Sequence, residues 1–421
     1  MSVSSFRSSL LSRFSSGGFP VVARTIKEIR NLRQAMDLLS YEGAFNNNRQ
    51  QRRRRDAGLH TEGRGAHVGF VPTMGFLHKG HLDLISRAKD RSDIVLSSIF
   101  VNPTQFAPHE DLSRYPRAFE SDLAKLGESG CDAVFAPAAV DMYPLGRGQL
   151  PIKTFVTPLD ADVLTPEGVA RPGFFRGVST VVSKLFNLTR PALAVFGQKD
   201  GVQCIVVRQM VRDLNFDIQI EVARTTREAD GLAMSSRNSY LTPDQRAAAP
   251  AIYKALLESK KEFETSPEFI IFNESRNLSK KKRIDDEKHS KEMDESKRST
   301  ARQEREANVN VAAQKATVQA REGVKATILG KLDPILKRAS ERFYETLKIN
   351  GNGLLGDPQY LTFSDALSGH PISSLNGSTA RNGAVMLSTA VPIVNNKTLR
   401  LIDNEMFVGD VEDIGANEDE Y

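Results

Sequence analysis

The sequence predicts an α/β fold, a parallel sheet with helices on both faces. Short apolar runs alternate with helical patterns between residues 26 and 213, and glycine-bearing turns with unusual polar residues follow several of the runs. The chain is also long enough, at 421 residues and 40% hydrophobic, to fill two or three units of about 150 residues. Its richest apolar run, Ile94 to Val101, contains two serines and falls short of the roughly 18 residues a membrane helix needs, so the chain reads as soluble with no membrane partner. Cys131 and Cys204 sit among apolar neighbours, too few for a disulfide framework or a thiolate metal site, and are expected as buried thiols.

Taken in order, Ile26 to Leu39 has apolar residues at helical spacing and predicts the first helix. His67 to Val71 predicts a strand, which enters the turn Pro72 to Gly75 and a helix from Gly80 to Lys89. Ile94 to Val101 is the next strand. A helix with early acids, Ser121 to Leu126, leads to the short strand Ala133 to Ala136. An apolar segment (Val178 to Leu188), the strand Ala192 to Phe196 and the helix Gly201 to Asp213 complete the pattern. In such sheets ligands collect at the carboxyl ends of the strands.

The ends and two insertions differ in composition. Residues 1 to 27 hold eight serines and the bases Arg7, Arg13, Arg24 and Lys27, with no acid before Glu28. That resembles an organelle transit peptide of the mitochondrial kind, the alternative being an unfolded tail, and leaves cytoplasmic or mitochondrial localisation open. Residues 46 to 65 form a basic loop with the run Arg52 to Arg55 and no interleaved aromatic for base stacking. A charged insertion spans about residues 264 to 315, and its stretch from Glu274 to Glu306 has 20 charged residues in 33, acids close behind bases. The net charge of +5 is therefore diffuse, and no nucleic-acid partner is expected. Residues 409 to 421 carry six acids and no base and read as an acidic tail.

Three constellations can carry chemistry. In PTMGFLHKGH, residues 72 to 81, His78 and His81 open a helix directly after a strand, with Gly75 and Gly80 allowing close approach. The free amides and partial positive charge of a helix start suit a phosphate. Metal ligation would need a third ligand that the flanking residues do not supply. In FGQKD, Lys199 can reach phosphate and Asp200 a ribose hydroxyl, although Gly-x-Lys-Asp turns are commonly solvated. In DGLAMSSRN, Ser235 and Ser236 precede Arg237, whose fork can grip phosphate oxygens, although Ser-Ser-Arg is often only a helix cap. Gln105 and Gln203, which can both donate and accept, suit a hydroxyl-rich acid.

Together with SIFVNPTQF, DLSRYPR, EGVARPGFFRGVSTVVSKLFN and RLIDNEM, these stretches resemble the pantothenate synthetase (pantoate–beta-alanine ligase) family, in the family's order from about Val68 to Met406 apart from the insertion. The resemblance implies a Rossmann-like nucleotidyltransferase domain over residues 25 to 224 and a smaller α+β lid domain over 225 to 408. It implies ATP-dependent condensation of pantoate with beta-alanine through pantoyl adenylate, Mg2+ accompanying ATP, and a homodimer. Residue by residue, it places ATP at Met74, Gly75, His78, Gly80, His81, Gly197, Lys199, Asp200, Thr226, Met234, Ser235, Ser236 and Arg237. Of these His78, His81, Lys199 and Arg237 are the catalytic candidates, with His81 at the position described as the proton donor. Gln105 and Gln203 fall on the pantoate positions, and Gln105 also on the beta-alanine position. Two departures stand out: Phe174 where the family usually has His, and Thr226 where Val is usual beside adenine. A nucleotidyltransferase acting on another acceptor would share the two-His signature but not the glutamine pair.

Overall fold

The computed structural model describes residues 1–42, 66–107, 110–144, 154–266, 334–365, 371, 385–394 and 396–408. The basic loop 46–65, the acidic tail 409–421 and, beyond residue 266, the charged insertion lie outside these residues.

Six strands form one sheet: β1 (Val21–Ala23), β2 (Val68–Thr73), β3 (Ile94–Ile99), β4 (Ala133–Phe135), β5 (Leu193–Gly197) and β6 (Gln219–Ala223), in the order β1-β4-β3-β2-β5-β6. Every pairing is parallel. The side-chain period of two sorts each strand between two cores. Phe70, Leu96, Phe135 and Phe196 face one core, and Val71, Val95, Val134 and Val195 face the other.

The first core is covered by α1 (Val3–Ser16), α2 (Ile26–Tyr41), α5 (Phe174–Thr189) and α6 (Gly201–Asp213). The second is covered by α3 (Lys79–Arg91) and α4 (Phe119–Ser129). α2 follows from local rules: Thr25 caps it by accepting from the Glu28 N–H at 3.2 Å, and Ile29, Leu32, Met36 and Leu39 make its buried stripe. α3 lies so close to β2 that a Cβ on Gly69 would collide with Ser92.

The observed elements run past several predicted ends. β2 extends through Pro72 and Thr73, so the turn begins only at Met74, and Val178–Leu188 is the middle of a longer helix. The start of the chain is neither an unfolded tail nor separate from the domain. Phe6 and Leu10 of α1 are fully buried. Arg13, which reads as an address charge, donates to the carbonyls of Gly18 at 2.6 Å, Gly127 at 2.9 Å and Cys131 at 3.1 Å. β1 ends before residue 25, so the sheet itself begins ahead of the expected boundary. Both cysteines are free and buried as expected, and burial pushes both thiols up.

The second unit pairs α7 (Ala251–Glu264) with α8 (Pro334–Asn350) and packs them on an antiparallel sheet, β7 (Tyr360–Asp365), β8 (Val385–Ile393) and β9 (Asn396–Val408). Phe263, Phe363 and Phe407 form its aromatic centre, with ring centroids 5.2 to 6.2 Å apart. Among the described residues no helix is long and apolar enough to cross a membrane.

Candidate active site

From β2 the chain steps out to β3 and β4 on one side and returns to β5 and β6 on the other, so the strand order reverses between β2 and β5. These two strands pair only through Gly69–Leu193 and Phe70–Ala194. Beyond that register their carboxyl ends carry no shared ladder. A cavity of about 230 Å³ lies there, lined by residues that follow both strands.

The turn after β2 is held from below. Thr73 donates to the Ser98 carbonyl at 2.6 Å, and its oxygen accepts from the Gly75 N–H at 3.2 Å. Gly75 and Phe76 both have positive φ, 85° and 51°, a conformation offset by Asp122, whose carboxylate accepts from the amides of Phe76 at 2.8 Å and Leu77 at 2.7 Å. Those two amides are therefore not free for a phosphate. Lys125 fixes the Leu77 carbonyl at 2.7 Å.

His78 and His81 lie ring over ring at the start of α3, centroids 4.0 Å apart. His81 Nδ1 accepts from the His78 N–H at 3.4 Å, which leaves the hydrogen of the neutral ring on Nε2. Burial, followed by the Lys199 and Lys125 charges, pushes His78 down from 6.5 to about 4 against the pull of Asp200. Burial and then His78, Lys199 and Lys125 hold His81 well below 6.5. The pair thus supplies neutral hydrogen-bond donors. Gly80 makes room for this stack, since a Cβ there would press on the His78 ring at 3.1 Å.

After β5, the turn Gln198–Asp200 presents Lys199, paired loosely with Asp200 at 3.4 Å. The turn is held by the second unit: Asn404 of β9 donates to the carbonyls of Gln198 and Lys199, each at 2.8 Å. Next to it, Asp403 takes both Nη atoms of Arg227 at 2.7 and 3.0 Å, and Arg227 lies 3.5 Å over the Tyr253 ring. Ser235 caps the short helix Ser236–Tyr240 by accepting from the Arg237 N–H at 3.3 Å, and Ser236 donates to the Phe76 carbonyl at 3.1 Å. Ser235 is thus engaged within its own turn, and Ser236 ties that turn to the one after β2. Arg237 is forked onto Asp111 by Nε at 3.2 Å and Nη2 at 3.1 Å.

At the far side, Asn102 is buried and donates to Gln105 Oε1 at 3.0 Å, which turns the Gln105 amide nitrogen toward Met74 Sδ at 3.3 Å. α5 reaches this turn because residue 177 is glycine; a Cβ would strike the Thr104 carbonyl. Arg171 donates to the Gln105 carbonyl at 3.4 Å and to both oxygens of Glu110, which also receives Arg400 of β9 at 3.3 Å. Phe174 has a definite place here: its ring centroid lies 3.4 Å from the Arg171 guanidinium carbon, a cation–π contact, and its edge meets Phe175. Thr226 turns its hydroxyl to Asp83 at 2.7 Å, so the extra oxygen is satisfied.

Of the residues named from the sequence, Met74, His78, Gly80, His81, Gln105, Gly197, Lys199, Asp200, Gln203, Thr226, Met234, Ser235, Ser236 and Arg237 all line the cavity. Gly75 does not; it is set back, where a Cβ would crowd Asp122 and Ile99 at 3.1 Å. Asp111, Arg171 and Asn404 lay within the quoted motif blocks but carried no assigned role. Asp122 and Lys125 gave no signal, because on an amphipathic helix they look like ordinary surface charges.

Comparisons with known proteins agree with this geometry. A family model described as pantoate-beta-alanine ligase matches residues 45–329. The chain is 58% identical over 189 residues to a pantothenate synthetase from Chloroflexus aggregans, and 54% identical over 192 residues to one from Herpetosiphon aurantiacus. These matches cover 45% of this chain and 66% and 67% of the two relatives. The crystal structure of pantothenate synthetase from Thermus thermophilus superposes with a TM-score of 0.60 at 31% identity, covering 92% of this chain and 100% of that one. A pantoate-beta-alanine ligase from Francisella tularensis, complexed with beta-gamma ATP and beta-alanine, gives 0.53 at 25% identity over 93% of this chain and 99% of that one. With the matched segment taking up more than half of the sequence and the paired histidines, lysine turn and arginine meeting in one cavity, the chain belongs to the pantoate-beta-alanine ligase family.

Proposed function

We propose that this chain condenses pantoate with beta-alanine to pantothenate, driven by ATP. In the first step a carboxylate oxygen of pantoate attacks the α-phosphorus and pyrophosphate leaves, giving pantoyl adenylate. In the second, the amine of beta-alanine attacks the acyl carbon and AMP leaves. The observation that carries this reading is the meeting of His78, His81, Lys199 and Arg237 with Gln105 and Gln203 around one cavity at the β2/β5 fork.

A carboxylate is ionised at neutral pH, so the first step needs alignment and relief of negative charge more than a base. Neutral histidines suit this. They donate to phosphate oxygens without holding a proton that the attacking carboxylate could take, and each well-placed donor supplies about 3 to 4 kcal/mol in the transition state. Lys199 and the free edge of Arg237 provide the charge. Gln105, its amide nitrogen oriented by Asn102, can donate to pantoate, and Gln203 lies across the same cavity.

Among the described residues no cluster of three or more His, Cys, Asp or Glu could hold a metal ion. A magnesium ion would accordingly ride on the triphosphate and water, with Asp200, the one acid lining the cavity among the described residues, as its protein carboxylate. It would supply neutralisation of the phosphate charge.

Incubation with ATP, pantoate and beta-alanine tests the reading: AMP should accumulate only with both acids present. AMP release with beta-alanine omitted and another acceptor supplied would point to a different transferase. We also propose a homodimer, as the family resemblance implies; light scattering at twice the monomer mass is the expected result. For location the reading remains cytoplasm or mitochondrion, supported by the acid-free, Arg- and Ser-rich start, and imaging a fusion of residues 1 to 27 decides between them.

A further inference from the structure

Arg237 is committed to a carboxylate in a particular way. A guanidinium has two usable edges, one formed by Nε with one Nη and one formed by the two Nη groups. Asp111 takes the first, with Nε–Oδ2 at 3.2 Å and Nη2–Oδ1 at 3.1 Å. Among the described residues Nη1 is left without a hydrogen bond, and Arg237 lines the cavity with His81 and Lys199. Tyr115, buried itself, places its ring 5.6 Å from the guanidinium carbon. Asp111 is 6% exposed and 126 residues away in sequence, and among the described residues its carboxylate is bound by Arg237 alone. The neighbouring Glu110 is engaged by Arg171 and Arg400, so the two adjacent acids do separate work.

We propose that Asp111 is a positioning residue for ATP: it grips one edge of Arg237 and so presents the other to the oxygens of the triphosphate. The proposal rests on the ligase reading of the site. A long arginine left free would have to lose its rotamer freedom when nucleotide binds, and a preformed fork removes that cost beforehand. The alternative role for Asp111, a competitor that holds Arg237 away from nucleotide, makes the opposite prediction for its removal.

The test is calorimetric titration of the full chain with α,β-methylene-ATP, which cannot be cleaved at the bond broken in adenylation, and with AMP as the control ligand. Asp111→Ala should weaken the triphosphate analogue about tenfold, the size of one lost charge-assisted contact, and leave AMP binding unchanged. Asp111→Asn, which keeps one acceptor oxygen, should recover most of the loss. Asp111→Ala combined with Arg237→Ala should bind no more weakly than Arg237→Ala alone. The proposal is overturned if Asp111→Ala binds the analogue as well as or better than wild type, loses AMP equally, or weakens the Arg237→Ala protein by a further tenfold. Should Asp111→Ala fail to fold, Asp111→Leu, which fills the space without an acceptor, reads the same quantity, and equal or tighter binding of the analogue by it overturns the proposal. Wild-type protein that binds neither ligand would instead sink the ligase reading, and the proposal with it.

Discussion

The two walls of the cavity are built by different means. On the β2 side, the turn, the helix start and both histidines come from ten consecutive residues, and Ser98, Asp122 and Lys125 of the same sheet and its helices brace them. On the β5 side, Lys199 is placed by Asn404 from 205 residues away, and β9 is itself tied down by the Arg227–Asp403 pair across 176 residues. The first wall is one run of chain braced by the parallel sheet and its helices, whereas the second takes its polar braces from another sheet. The first should tolerate damage to the C-terminal sheet, whereas the second should fail whenever that sheet shifts.

Four perturbations probe that contrast. The largest effect is expected for Asp403→Ala, which strands the charge of Arg227 where its side chain is only 13% exposed. Losing one partner of such a buried pair costs about 3 to 5 kcal/mol, so the urea midpoint of the second unit should drop sharply, with ATP affinity falling alongside. His81→Ala should be next and of opposite character, lowering kcat by about 10² to 10³ with the near-UV circular dichroism unchanged. Pantoyl adenylate formed at the wild-type rate by that variant would refute its role. Asn404→Ala removes both amide bonds to the lysine turn and should cost about 1 to 3 kcal/mol, raising KM for ATP more than it lowers kcat. Phe174→Ala strips the ring from Arg171 and should cost about 0.5 to 2 kcal/mol, seen as a raised KM for pantoate, since Arg171 holds the Gln105 carbonyl.

The histidines also give the first wall a pH signature. The folded-state value of His78 is depressed, from 6.5 to about 4, so its neutral burial contributes stability fully present above 6.5. That contribution is lost as pH falls through the window from 6.5 to about 4. Denaturant midpoints measured across this window should decline, and His78→Gln should flatten the decline.

Much of this was legible in the sequence, and the reason is periodicity. Strands buried on both faces read as short apolar runs, and the helices between them keep a clear stripe, as in α2. The cavity residues were legible because a histidine pair after a strand, or a lysine in a glycine turn, has few structural uses. What escaped was everything set by distant partners. β1 and β6 are edge strands too short or too polar to stand out, and the packing of α1 was hidden because Arg13 spends its donors on three carbonyls elsewhere in the fold. Arg237 lines the cavity, but its partner Asp111, 126 residues away, could not be paired with it. The charge state of the histidines was likewise invisible, since burial and Lys199 set it.

The most direct measurement is a crystal structure of the protein with α,β-methylene-ATP and pantoate. The account predicts the triphosphate seated at the β2/β5 fork, His78 and His81 donating to its oxygens with Lys199 and Arg237 on either side, and the pantoate carboxylate in line with the α-phosphorus beside Gln105 and Gln203. A nucleotide bound elsewhere, with both imidazoles turned away from it, would contradict the account.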